Sequence, residues 1–72
     1  MVMKSYSCIL YAEVPRERIA FFRFLLEAYD NLAIMSVVDR YRAVIKIRCT
    51  EAGLNTVRYI LHTEGATITA LD

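Results

Sequence analysis

Residues 31–48, Asn-Leu-Ala-Ile-Met-Ser-Val-Val-Asp-Arg-Tyr-Arg-Ala-Val-Ile-Lys-Ile-Arg, decide the fold of this chain. Runs 31–38 and 41–48 are rich in β-branched residues and Asp39-Arg40 between them is polar, so the stretch predicts two antiparallel strands joined by a tight turn. With a two-residue turn, Val38 faces Tyr41. Side chains alternate along a strand, so Ile34 and Ser36 then share a face with Ala43 and Ile45. Met35 and Val37 share the other face with Arg42, Val44, Lys46 and Arg48.

On either side of this hairpin the apolar period changes from 2 to 3.6. Upstream, Pro15 suits a first helical position, where its missing N–H has no partner to lose, and the pattern runs to about Tyr29. Ile19, Phe21, Phe22, Leu25, Leu26, Ala28 and Tyr29 make a broad apolar arc, with Arg16, Arg23, Glu27 and Asp30 opposite and Phe24 outside it. Arg23 and Glu27 stand one turn apart and can pair. Downstream, Thr50 suits an N-cap and Glu51 a first turn, and Leu54, Val57, Ile60 and Leu61 form a buried stripe as far as about Glu64. Gly65 fits the position after the helix, where positive φ is required.

Outside the helices, 5–12 alternates, with Tyr6, Cys8, Leu10 and Ala12 on one face and Ser5, Ser7, Ile9 and Tyr11 on the other. Residues 66–71 supply a last strand. The order strand, helix, strand, strand, helix, strand predicts one domain over residues 1–72, an α+β ferredoxin-like two-layer sandwich with two helices on one face of a four-stranded antiparallel sheet. Right-handed crossovers put strands 1 and 3 in the centre. The covered face is expected to receive Tyr6, Cys8, Leu10, Ile34, Ala43, Ile45, Ile47 and Ile68. The open face collects Ile9, Tyr11, Met35, Val37, Val44 and Leu71 among Ser7, Arg42, Lys46, Arg48, Thr67 and Thr69.

A chain of 72 residues buries only about 60% of its unfolded surface, and a core of this size rarely supplies more than about 3–5 kcal/mol. Yet 57% of the residues are hydrophobic, above the roughly 45–50% usual in soluble domains. Self-association is the economical outlet for that surplus. Burying about 500 Å² of open face at ~25 cal/mol per Å² is worth on the order of 12 kcal/mol before association costs of similar size. The candidate interface residues are therefore Ile9, Tyr11, Phe24, Met35, Val37, Val44 and Leu71. The edge of strand 2, without proline and with little charge, offers a second route by strand addition, with Phe24 beside it.

The net charge of +1 provides no strong field toward phosphate backbones, which argues against nucleic acid as the partner. The open face with Tyr11, Arg42, Lys46 and Arg48 shares its layout with single-strand RNA platforms, but the aromatic-rich strand signatures of those domains are absent. Cys8 and Cys49 lie outside any C-x-x-C spacing and read as small reduced hydrophobes, which fits a cytoplasmic protein. The short apolar run Cys8 to Ala12 is too brief for a signal-peptide core or a membrane span.

No catalytic constellation emerges. His62 is the only histidine and has no metal-ligating residue one turn away, so no metal site forms within its helix. A Cys–His pair would need Cys8 or Cys49 to meet His62. The carboxylate pairs Glu13/Glu17 and Glu27/Asp30 already have structural reasons for their places. Glycine occurs only at Gly53 and Gly65, so there is no phosphate-cradling loop. No cofactor is expected, and the function expected is that of a non-enzymatic binding or regulatory module.

The residues Val14-Pro15, the run Ile19-Ala20-Phe21-Phe22-Arg23-Phe24-Leu25-Leu26-Glu27-Ala28-Tyr29-Asp30-Asn31-Leu32-Ala33, and Val38-Asp39 resemble a family of very short bacterial proteins known only as a domain of unknown function. That resemblance implies a bacterial, cytosolic protein and no catalytic residues. In element order the chain is also similar to ACT domains, which dimerise and bind amino acids near the turn after strand 1. Here that turn is Glu13-Val14-Pro15-Arg16, without the glycine that lets a ligand approach the backbone. The ACT likeness implies an amino-acid or small-metabolite sensor, with Arg16, Arg42, Lys46 and Arg48 as candidate ligand-binding residues.

Overall fold

The computed structural model describes residues 6–28 and 33–71. Alternation of Leu10 and Ala12 against Ile9 and Tyr11 builds β1 (Cys8–Glu13), with the first pair fully buried. Pro15, at φ −59°, ends the strand and opens a 3₁₀ turn over Arg16–Arg18 rather than the helix itself. The helix α1 (Ile19–Ala28) follows, then β2 (Ala33–Asp39), β3 (Val44–Cys49), α2 (Leu54–Thr63) and β4 (Thr67–Leu71). The sheet is antiparallel throughout, in the order β2-β3-β1-β4. Strands 1 and 3 are central, as expected. Ser5, Tyr29, Asp30, Asn31 and Leu32, where strand and helix ends were placed, lie outside the described residues, as does the side chain of Leu71.

Helix α1 packs beside β2 and α2 beside β4. Phe22 and Leu26 from α1 and Val57 and Leu61 from α2 close over Leu10, Ala12, Ile45, Ile47 and Cys49, all fully buried. Phe21, expected within the buried arc, is instead 38% exposed. It stands edge-on to Phe22, with ring centroids 5.6 Å apart at 82°, and the arc is narrower than its composition implies.

The hairpin between β2 and β3 departs from the expected two-residue turn. Asp39 pairs with Val44 and Val37 with Ile45, which leaves Val38 as a bulge and residues 40–43 as a four-residue loop. The Asp39 Oδ1 accepts from the N–H groups of Tyr41 and Arg42 at 3.0 and 3.1 Å, an Asx-type closure. Ala43 takes a left-handed φ of +55°, and its carbonyl accepts from the Val14 N–H at 3.0 Å. Ile45 therefore faces Val37 in place of Ile34, a shift of three residues. Because the side-chain period is two, an odd shift exchanges the faces of β2. Met35 is buried on the helix side, opposite Ile47, and Val37 shares that side, while Ile34 and Ser36 face out. The expected placement of Met35 and Val37 on the open face, and of Ile34 under the helices, is thus corrected.

The second crossover is pinned by local hydrogen bonds. Thr50 Oγ1 accepts from the Gly53 N–H at 3.0 Å, as its N-cap chemistry suggested, although regular helix begins only at Leu54. At the other end the Ala66 N–H reaches the Leu61 carbonyl at 2.8 Å around Gly65, whose φ is +87°, a Schellman-type stop. Nothing lies within 4 Å of a Cβ built on Gly65, so only backbone strain opposes a side chain there. Gly65→Ala is expected to destabilise by about 1 kcal/mol. In a thermal scan by circular dichroism that corresponds to a midpoint lower by roughly 4–8 °C.

Candidate functional site

The face of the sheet away from the helices is organised in rows by the strand register. Ile34, Arg48 and Ile9 form one row across β2, β3 and β1; Ser36, Lys46 and Tyr11 form the next; Val44, Glu13 and Thr67 form a third across β3, β1 and β4. Ile34 is 45% exposed, Arg48, Ser36, Glu13 and Thr67 are exposed, and Ile9, Tyr11, Val44 and Lys46 are half-buried. Of the expected interface residues, Ile9, Tyr11 and Val44 share this face. Ile34 and Glu13 belong to it against expectation, because the hairpin register hides the first and the alternation over 5–12 stops one residue short of the second. The backbone register pairs Leu71 with Leu10, across a bulge between Tyr11 and Ala12.

Phe24 lies elsewhere. It is 70% exposed on α1 and borders a shallow groove of about 530 Å³ with Ile19, Ala20, Arg23 and Glu27. Those last two residues close part of the β2 edge. Glu27 Oε2 accepts from the Met35 N–H at 3.1 Å, the Arg23 Nη1 donates to the Met35 carbonyl at 3.4 Å, and the two side chains meet at 3.5 Å. Strand addition along this edge must first displace that pair: β2 itself carries little charge, as expected, and the charges that guard its edge come from α1. Glu27→Ala leaves the outward Met35 N–H without its acceptor. Higher-order association in light scattering is the expected outcome, increasing with concentration beyond that of the parent chain.

The four candidate ligand-binding cations do not form one cluster. Lys46 and Arg48 stand on the open face, whereas Arg16 in the 3₁₀ turn and Arg42 in the hairpin loop are exposed at the sheet end where Val14 and Ala43 bond. Arg18 was missed by sequence reasoning. Its Nη1 donates to the Glu64 carbonyl at 2.8 Å, its Nη2 meets Glu64 Oε1 at 3.1 Å, and its guanidinium lies 4.3 Å from the Phe21 ring centroid. This joins the 3₁₀ turn to the C-terminus of α2, where a cation is favoured by the helix dipole. The partners are 46 residues apart, beyond any local pattern.

Chemistry within the fold is sparse. His62 is exposed on α2, while Cys49 is fully buried in β3 and Cys8 half-buried in β1. Burial, and secondarily the neighbouring Cys8, push the Cys49 thiol pKa up. Among the described residues no group of three or more His, Cys, Asp or Glu side chains is placed to hold a metal, and no helix is long and apolar enough to cross a membrane. A second groove, of about 340 Å³ between the helices, is lined by Leu25, Thr56, Tyr59, Ile60, Thr63 and Glu64.

Four antiparallel strands in the order β2-β3-β1-β4 beneath two helices define a ferredoxin-like α+β sandwich whose open face mixes apolar, cationic and anionic side chains. The family model for the domain of unknown function DUF4911 matches residues 12–68, and the chain belongs to that family. No curated protein and no solved structure matches the chain.

Proposed function

We propose that this protein is a small non-enzymatic binding or regulatory module that works as a homo-oligomer, with the open sheet face as the surface where copies meet. The observation that carries the reading is the composition of that face. Ile34, Ile9, Tyr11 and Val44 are interleaved with Lys46, Arg48 and Glu13 at fixed register positions. A solvated antiparallel sheet alternates to polar residues on its free side, and this one does not.

A two-fold interface brings the same patch of each subunit to the other, so a face carrying both signs can answer itself, with Glu13 of one copy near Lys46 or Arg48 of the next. A face that was only basic would repel its copy. Multi-angle light scattering at micromolar concentration tests this: the expected mass is a multiple of 8.3 kDa, and a monomer mass at every concentration overturns it. A thermal-shift screen with amino acids and nucleotides addresses the binding half, because a ligand specific for the native state raises the midpoint. A rise with one amino acid moves the function to small-metabolite sensing. A rise with nucleotides alone moves it to the RNA-platform reading.

A further inference from the structure

We propose that Cys8 and Cys49 form a paired-thiol modification site, which a low-molecular-weight disulfide of the glutathione class converts to an intramolecular disulfide joining β1 to β3. The two residues are 41 positions apart in sequence, yet they are direct partners in the antiparallel register of the two central strands. Directly opposed residues in such a pair have Cα atoms about 4.5–5.5 Å apart and Cβ atoms on the same face, within the roughly 4.4–6.8 Å that a disulfide spans. The pattern of the sheet refines this. Met35 turns its N–H and carbonyl outward to Glu27 and Arg23, so Ile47 opposite it turns its own toward β1. By alternation Cys49 does the same, which makes Cys8 and Cys49 a hydrogen-bonded pair with Cα atoms about 5.5 Å apart, within disulfide range, but with Cβ atoms wider apart than the roughly 3.5–4.5 Å of a relaxed disulfide, so closing the bond draws the strands together and leaves it strained and readily reduced.

The two thiols differ in access, and that sets the order of events. Cys8 is half-buried at the start of β1, while Cys49 is fully buried. The small disulfide therefore meets Cys8 first. The Cys8 thiolate attacks one of its sulfurs, forms a mixed disulfide and expels one small thiolate. Cys49, after giving up its proton, attacks the Cys8 sulfur and expels the second small thiolate. Two cysteine thiols are oxidised and the small disulfide is reduced to two thiols, so electrons and protons balance. Burial disfavours the Cys49 thiolate, which makes this second step the slow one. The product staples the two central strands on the helix-covered side, apart from the open face, so its formation and the assembly of copies are read out independently.

The test is incubation of the folded wild-type protein with glutathione disulfide near pH ~8, where thiolates are available, followed by alkylation and intact-mass and peptide analysis. The expected product has the monomer mass less two hydrogen atoms, blocks both cysteines from alkylation and yields one linked peptide pair containing Cys8 and Cys49, with the circular dichroism spectrum retained. Cys49→Ala stops at a stable glutathione adduct on Cys8. Cys8→Ser, which keeps the core intact, leaves Cys49 unmodified. A stable Cys8 adduct in the wild type, a disulfide between chains, two cysteines still open to alkylation, or a link that forms only after denaturation each overturns the proposal.

Discussion

Phe22→Ala leaves the isolated chain largely unfolded at room temperature. Among the described residues Phe22 is the largest fully buried side chain, and it lies on α1 over the sheet, within the same core cluster as Leu10, Leu26 and Ile47. Truncating a buried phenylalanine costs about 3–5 kcal/mol, the transfer of the ring plus the cavity left behind. A single core in a domain of this size supplies only about 3–5 kcal/mol in total. The two magnitudes are equal, so the variant has no margin. Far-UV circular dichroism should show loss of helix and sheet signal, with no cooperative transition in urea at low protein concentration. Partial recovery as concentration rises is expected too, because assembly draws the equilibrium toward the folded form. A variant that melts cooperatively within a few degrees of its parent would show that the core is not where this fold's stability resides.

Ile34→Lys abolishes self-association without unfolding the chain. Ile34 is 45% exposed and sits opposite Arg48 in the β2–β3 register, so a lysine there is solvated in the free subunit and costs it only the cross-strand repulsion of two like charges, about 0.2–1 kcal/mol. In the proposed assembly the same ammonium would enter an apolar contact beside an existing cation, with desolvation and like-charge repulsion adding. Several kcal/mol of that kind raise the dissociation constant by about 100-fold or more. Sedimentation velocity should show a monomer at concentrations where the proposed assembly forms in the parent, with the dissociated form still melting cooperatively and its midpoint lowered by no more than about 4–8 °C. Phe24→Lys is the matching control on α1, away from the open face, and leaves the assembly intact. If Phe24→Lys dissociates it and Ile34→Lys does not, copies meet along the β2 edge instead.

The element order was legible because it depends on punctuation that single residue types supply. Pro15 ends a strand, Gly65 ends a helix, and the apolar period changes between 2 and 3.6 at their positions. The central placement of β1 and β3 followed from crossover handedness alone. What could not be read was the hairpin register. It turns on the Asp39 carboxylate accepting two backbone N–H groups and on Ala43 holding a left-handed φ. Neither residue announces this, since Asp also begins shorter turns and alanine is rarely found at positive φ. One unsignalled loop therefore moved Met35 and Val37 beneath the helices and Ile34 into the open. The pairing of Cys8 with Cys49 was hidden differently, because the strand predicted over 41–48 stops one residue short of Cys49 and no sequence signal sets the register of β1 against β3. Arg18 and Glu64 are a further case of the kind: each reads as an ordinary surface charge until the fold brings them together.

The correction shifts the balance of the open face. Removing Met35 and Val37 takes two apolar residues away, and adding Ile34 and Glu13 returns one apolar residue and one anion to a surface already carrying Lys46 and Arg48. The result is less greasy and more able to complement itself. Electrostatic matching of this sort contributes specificity and register more than raw affinity. The edge beside α1 is the reverse case, since the Arg23 and Glu27 side chains occupy the outward hydrogen-bonding groups of Met35. On the proposed reading, this leaves the sheet face rather than the strand edge for association.

The most direct test of where copies meet is an isotope-filtered NMR experiment on a mixture of labelled and unlabelled protein. Cross-subunit Overhauser contacts are expected at the methyl groups of Ile9, Ile34 and Val44 and at the ring of Tyr11. Contacts confined to Phe24 and Val38, or none at any concentration, would contradict an interface on the open sheet.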